Sequence, residues 1–144
     1  MNITVCIIAF NEEKNIAAAL ESVAWADEIL VVDSYSTDRT REIAAETGAK
    51  ILTRQWLGFA EQKQFAVDNA KFDWILSLDA DERISPELKD EILQLKHLDI
   101  KDLDDGYKIP RLSFYMNRAI RYGGCYPDWQ LRFFNRRKGF WKDV

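Results

Sequence analysis

Histidine is nearly absent from this chain. One residue of that type, His97, occurs in 144. A single imidazole leaves little material for a zinc site or a Ser-His-Asp triad. Cysteine is almost as scarce. Cys6 and Cys125 do not make a disulfide framework, and Cys6 sits inside an apolar run, so both read as reduced thiols of a cytoplasmic protein. No apolar run approaches the ~20 residues that a membrane span needs. The start, Met1 to Val5, lacks the basic segment and small-residue cleavage site of a secretory leader. Neither a Gly-rich P-loop nor a GxGxxG fingerprint occurs, which counts against NTP hydrolysis and dinucleotide redox chemistry. No internal repeat and no low-complexity stretch is found.

What is present reads as one soluble globular domain: 144 residues, 47% hydrophobic and 31% charged. The net charge of −4 is divided unevenly. Residues 1–106 carry 11 Lys and Arg against 22 Asp and Glu, whereas residues 107–144 carry 9 against 2. The basic tail mixes Arg132, Arg136, Arg137, Lys138 and Lys142 with Phe133, Phe134, Phe140 and Trp141. Such a mixture suits phosphate groups, lipid head groups or single-stranded nucleic acid. A terminal strand with packed aromatics and solvated basic residues explains it equally well.

Hydrophobic periodicity predicts alternating strands and helices. Strands are expected at Ile3 to Ala9, Glu28 to Val32, Lys50 to Thr53 and Asp73 to Leu78. Helices follow each of them. Asn11 is expected to cap the first, with Glu12 and Glu13 in its opening turn, and Ser36 or Thr37 the second, which Gly48 closes. The third spans Gly58 to Ala70. Ser85-Pro86 opens a fourth that runs to about Leu95. This β-α order implies a parallel sheet with right-handed crossovers. After an acidic loop, Tyr107 to Pro110 and Leu131 to Phe134 read as shorter, mixed-pattern strands, and Gly123-Gly124 marks a break.

Ligands of open α/β sheets bind at the carboxyl ends of the strands. Three acidic signals gather there: Glu12 after Phe10-Asn11, Asp33, and Asp79-Ala80-Asp81-Glu82. Continued alternation would put Asp79 and Asp81 on one side. Their repulsion is relieved by a divalent cation, Mg²⁺ or Mn²⁺, which typically uses one or two carboxylates plus substrate phosphates. An exposed acidic turn before Ser85 is the bland alternative. Phe10 is placed to stack on a base or to join the core. Asp33 is placed to accept from a base or ribose, or from its own turn. Lys63 lies on an apolar helix face, where it snorkels or reaches a ligand phosphate or base. His97 reads as solvated.

Together, the segments Ile7 to Glu13, Val31 to Asp38, Gly58 to Lys63 and Leu76 to Glu82 resemble glycosyltransferase family 2. The subfamily most similar to them comprises the bacterial lipopolysaccharide-core glucosyltransferases, often described as β-1,4-glucosyltransferases, and Gly123 to Arg132 resembles it too. The resemblance covers essentially the whole chain. It implies the GT-A fold: a Rossmann-like α/β domain with a mainly parallel sheet flanked by helices, here truncated. It also implies a UDP-sugar donor and an inverting transfer, with glucose the sugar expected. Carried over by position, Phe10 stacks near the base and Glu12 lines its pocket. Asp33 binds base or ribose, Lys63 contacts the nucleotide, Asp79 faces ribose and sugar, and Asp81 takes the metal. Ala9-Phe10 stands where many relatives have Thr or Pro followed by Tyr. Relatives are also longer, continuing after the position of Val144 with a His-Glu pair and acceptor-side helices. Residues 1–106 are therefore expected to be the nucleotide-sugar-binding part, and 107–144 the start of the acceptor side of the same domain.

In such a transfer, charge develops on the leaving diphosphate, where a cation at Asp81 acts as a Lewis acid. A carboxylate opposite takes the acceptor proton. Asp128 is the best placed in this chain, competing with a turn role after Pro127 and with the downstream glutamate. The expected partners are a UDP-sugar and a lipopolysaccharide or glycan acceptor. The expected location is the cytoplasm, with contact at the inner face of the membrane and no nucleic-acid partner. Two rival readings stand beside it: a donor-binding fragment without turnover, and a metal-dependent phosphatase. The phosphatase needs its Asp-x-Asp on the first strand, with a small residue where Arg83 stands. A sugar nucleotidyltransferase needs a Gly-rich loop that is missing.

Overall fold

A computed structural model describes the backbone of residues 1–115, 118–120 and 128–139, and the side chains of residues 1–112 and 128–139. Cys125, the Gly123-Gly124 break, Phe140, Trp141 and Lys142 lie outside the described residues.

The frame is one six-stranded sheet. Strands β1 (Ile3–Ala9), β2 (Glu28–Asp33), β3 (Lys50–Thr53) and β4 (Trp74–Asp79) are mutually parallel. Strands β5 (Gly106–Arg111) and β8 (Asp128–Asn135) complete it in the order β3-β2-β1-β4-β8-β5. Strand β8 runs antiparallel to both β4 and β5. The sheet is therefore mixed, with the parallel part that the sequence predicts. Two further short strands, β6 (Ser113–Tyr115) and β7 (Arg118–Ile120), pair as a separate antiparallel ribbon. Helices α1 (Ile16–Ser22), α2 (Thr40–Glu46), α3 (Phe59–Asp68) and α4 (Pro86–Leu95) connect the parallel strands or follow them.

All seven residues of β1 are buried, as expected of a central parallel strand covered on both faces. One face packs Ile3, Val5 and Ile7 with Ile16, Leu20, Leu76 and Phe133. The other packs Cys6, Leu30 and Val32 with Ala66, Val67 and Phe134. Phe133 is 1% and Phe134 3% exposed, so these two aromatics of the basic tail belong to the core, whereas Trp129 is exposed. Trp74, Tyr107 and Phe133 join β4, β5 and β8, with ring centroids 5.1 Å (Trp74–Phe133) and 5.9 Å (Tyr107–Phe133) apart. Gly106 fits closely there: a Cβ would lie 3.0 Å from Leu131 Cδ1 and 3.2 Å from Phe134 Cβ, so a larger residue would push those side chains aside.

Two helix starts depart from the sequence reading. Helix α1 begins at Ile16 behind Asn15, not behind Asn11. Helix α2 begins at Thr40, with no side-chain cap from Ser36 or Thr37. The side chains of Asn11, Ser36 and Thr37 bond across to the neighbouring loop instead. Ser85 does cap α4, accepting the Leu88 amide at 3.1 Å, with Pro86 at the first helical position.

Candidate active site at the carboxyl edge of the sheet

The loops after β1 and β2 interlock. Ala9 and Asp33 are register partners at the ends of their strands. The Asn11 amide donates to Ser36 Oγ at 2.9 Å, the Glu12 amide to Thr40 Oγ1 at 2.8 Å, and the Thr37 amide to Asn11 Oδ1 at 2.8 Å. Asn11 and Tyr35 both take the left-handed conformation, with φ of 49° and 55°. Phe10 and Tyr35 are exposed at this edge. Glu12 Oε2 accepts from Asn15 Nδ2 at 2.9 Å.

Asp33 is fully buried and accepts from the Ser36 amide at 2.8 Å and from the Ser36 hydroxyl. Arg41 Nε lies 3.6 Å from it. In the free chain its carboxylate thus closes its own turn, one of the two roles that the sequence leaves open.

A second group gathers at the end of β4. Lys63 Nζ on α3 lies 3.2 Å from Asp79 Oδ1. From β8, Arg132 Nη2 lies 3.5 Å from Asp79 Oδ2 and 3.0 Å from Glu82 Oε1. Glu82 Oε2 accepts the Asp79 amide at 2.9 Å. Burial pushes the Glu82 carboxyl above its ordinary value, against the pull of the Asp79 amide and Arg132. Lys63 therefore neither snorkels nor points freely at a ligand. The sequence gives no sign of the Arg132 contacts, which join residues fifty positions apart. Glu82, too, acts here as the clamp of both partners.

Asp79 and Asp81 do not share one extended face. The strand stops at Asp79, and the Glu82 amide donates to the Asp79 carbonyl at 3.0 Å, closing a turn over Ala80 and Asp81. Asp81 is exposed on that turn. Among the described residues no group of three or more His, Cys, Asp or Glu side chains is assembled for a metal. An all-protein cage is therefore not built. An exposed carboxylate beside a second one still suits a hard cation that takes its other ligands from substrate phosphates.

Asp128 opens β8, whose start lies beside the carboxyl end of β4 because the two strands are antiparallel. It is held by Gln130 Nε2 at 2.8 Å and by Arg111, with Nη2 at 2.8 Å. Those two partners, Gln130 foremost, keep its carboxyl below the ordinary value. Arg136 and Arg137 fall at the opposite end of the sheet, on Asp73 at 3.1 Å and 2.7 Å. They do not belong to this edge, and these basic residues of the tail are engaged within the chain.

Comparison with known proteins gives a consistent result. The family model described as Glycosyl transferase family 2 matches residues 4–142. A Rickettsia bellii protein named an uncharacterized glycosyltransferase is 45% identical over 116 residues, covering 80% of this chain and 40% of its own. The lipopolysaccharide core biosynthesis glycosyltransferase LpsC of Rhizobium meliloti is 30% identical over 138 residues, covering 92% of this chain and 50% of its own. The chain thus spans about two fifths to half the length of these relatives. Among solved structures, S. aureus TarS 1–349 in complex with UDP-GlcNAc is similar, with a TM-score of 0.55 and 28% identity over 67% of this chain and 31% of that one.

Proposed function

The chain belongs to glycosyltransferase family 2 and has the GT-A type of fold, and on that premise we propose that it binds a UDP-sugar for inverting transfer to a glycan. The observation that carries the reading is the convergence of Lys63 and Arg132 on Asp79 at the carboxyl end of β4. Two cationic side chains and a carboxylate are brought to the edge where such sheets take ligands. TarS, 28% identical, was solved with UDP-GlcNAc, which supports a uridine nucleotide donor. The likeness to LpsC supports a lipopolysaccharide-core acceptor. Glucose is the sugar proposed, from the resemblance of the sequence motifs alone. Work on a lipid-linked acceptor goes with a cytoplasmic, membrane-peripheral location. Among the described residues no helix is long and apolar enough to cross a membrane.

On this reading residues 1–106 hold the nucleotide sugar and residues 107–144 begin the acceptor side. Phe10 and Glu12 line the base pocket. Asp33 meets base or ribose once its turn yields, and Asp79 exchanges Lys63 for a hydroxyl of ribose or sugar. Lys63 then faces the nucleotide phosphates. Asp81, with Asp79 near it in sequence, would hold Mg²⁺ or Mn²⁺. Bound there, the cation would supply Lewis-acid stabilisation of the leaving diphosphate. Asp128 takes the proton of the attacking hydroxyl.

A second reading, donor binding without transfer, is favoured by one observation. Gln130 Nε2 and Arg111 Nη2 each lie 2.8 Å from the Asp128 carboxylate and hold its carboxyl below the ordinary value, which weakens it as a base.

Calorimetry of UDP and uridine, with Mg²⁺ and with EDTA, tests the proposal. UDP is expected to need the cation and to weaken strongly in Asp81→Ala, while Asp33→Ala weakens uridine and UDP alike. Equal affinity for UDP in EDTA would remove the metal from the reading.

A further inference from the structure

Arg132 carries a permanent charge in a nearly closed place: its side chain is 9% exposed. Burying a guanidinium is costly unless its donors are engaged. Nη2 is engaged, on Glu82 and Asp79. Nη1 is closed off from solvent and donates to no described residue. In the same cluster, Asp79 Oδ1 accepts no hydrogen bond from a described residue, although Lys63 Nζ lies within ion-pair distance. Buried polar atoms left in this state are few in native proteins, and each calls for a cause.

Arg136, four residues further along the same strand, is the internal comparison. Its Nε donates to Asp73 Oδ1 at 3.1 Å, and its Nη1 to the carbonyls of Val67 and Ala70 at 3.1 and 2.7 Å. That arginine ties the end of α3 to the sheet, and both of these nitrogens are engaged. A purely structural Arg132 would be expected to look the same. Instead it is held from one side only, at the opposite edge of the sheet, where ligands of this architecture bind.

We propose that Arg132 is a diphosphate-binding residue, with Glu82 and Asp79 holding one side of the guanidinium and Nη1 kept for phosphate oxygens. The proposal rests on the nucleotide-sugar reading and deepens it. A guanidinium has only donors, set in a planar fork that matches phosphate oxygens in pairs. Sugar hydroxyls would be served as well by the carboxylates around it. The diphosphate would otherwise meet Asp79, Asp81 and Glu82 at close quarters. Arg132 and Lys63 offset that repulsion from the protein side. Nη1 is covered in the free chain, so the ligand reaches it only as the side chains around it shift.

Calorimetry in Mg²⁺ with uridine, UDP and inorganic pyrophosphate, on the wild-type chain, Arg132→Ala and Arg132→Lys, tests this. A charge-assisted hydrogen bond contributes about 1.5–3 kcal/mol, which corresponds to about 10–150-fold in affinity. UDP is expected to weaken by about that factor in Arg132→Ala, with uridine within about twofold of wild type. Thermal melting shows whether each variant is folded. Should Arg132→Ala not fold, Arg132→Lys carries the test: it keeps charge and loses the fork, and UDP alone should weaken about fivefold. A folded variant with unchanged UDP affinity, or with equal losses for uridine and UDP, overturns the proposal and leaves the nucleotide reading standing. Arg132-dependent binding of pyrophosphate without any binding of uridine does the reverse. No binding of UDP or of pyrophosphate by the wild-type chain overturns the role of Arg132 outright.

Discussion

The Asn11 side chain accepts the Thr37 amide at 2.8 Å, and so fastens the loop after β1 to the loop after β2. Asn11 can do this because its backbone turns left-handed, at a φ of 49°. Asparagine tolerates that conformation better than other residues with a side chain. The bond makes one rigid unit of the two strand ends between which the base is proposed to sit.

Replacing Asn11 therefore removes two things at once. Asn11→Ala is expected to lower stability by about 1–2 kcal/mol, from the lost hydrogen bond and the left-handed backbone. Asn11→Gly keeps the backbone freedom and should lose less. Urea melts of the two variants check the order, and a glycine variant no better than alanine would contradict it.

Tyr35 presents the opposite case. Its φ is 55°, its side chain is exposed, and a bulky residue gains nothing from a left-handed backbone. Tyr35→Gly is expected to stabilise the fold by up to about 1 kcal/mol, and Tyr35→Ala to give no such gain. The shift in denaturation midpoint reads the difference directly.

Asp73 sets a pH dependence. Its partial burial favours the neutral acid, but hydrogen bonds from Arg137 and Arg136 outweigh that and hold its carboxyl below the ordinary 3.8. A depressed folded-state value means stability that is present above the unfolded-state value and lost as pH falls through the folded one. The stability gap between the wild type and Asp73→Asn should thus be full at pH 7 and shrink below about pH 4. Denaturant melts at neutral and acid pH measure it. A gap that stays constant would show that Asp73 acts without its charge.

The strands were legible because burial writes itself into local pattern. Ile3 to Ala9 is an apolar run rich in β-branched residues, interrupted only by the hydroxyl of Thr4, and the strand has those bounds. The Ser85-Pro86 start was legible for the same reason: its cap bonds three residues away. What failed depends on partners far along the chain. Asn11 looks like a helix cap, but its acceptor serves Thr37, and α1 starts later. Arg132 and Arg136 look alike in sequence, yet one meets Asp79 and the other Asp73, at opposite ends of β4. The direction of β8 decides that assignment, and a single strand's residues do not encode it. Asp81 was expected to alternate with Asp79; a turn closed by the Glu82 amide intervenes.

The proposed proton acceptor gives the last prediction. Arg111 and Asp128 are register partners across β5 and β8, with Arg111 Nη2 2.8 Å from Asp128 Oδ2. Together with the Gln130 amide, that contact lowers the Asp128 carboxyl below 3.8. A general base is best matched when its pKa approaches the working pH. Arg111→Gln removes the opposing charge, so the Asp128 pKa must rise. If Asp128 takes the acceptor proton, the acid limb of the transfer rate moves to higher pH in Arg111→Gln. Asp128→Asn should lose about 10²–10⁴-fold in rate while binding UDP as the wild type does. Transfer from UDP-glucose to truncated lipopolysaccharide, followed across pH with Mg²⁺, provides the measurement. An acid limb that stays in place in Arg111→Gln would mean that the proton goes elsewhere. Unchanged turnover in Asp128→Asn would mean the same, and Asp128 would then serve only to pair β8 with β5.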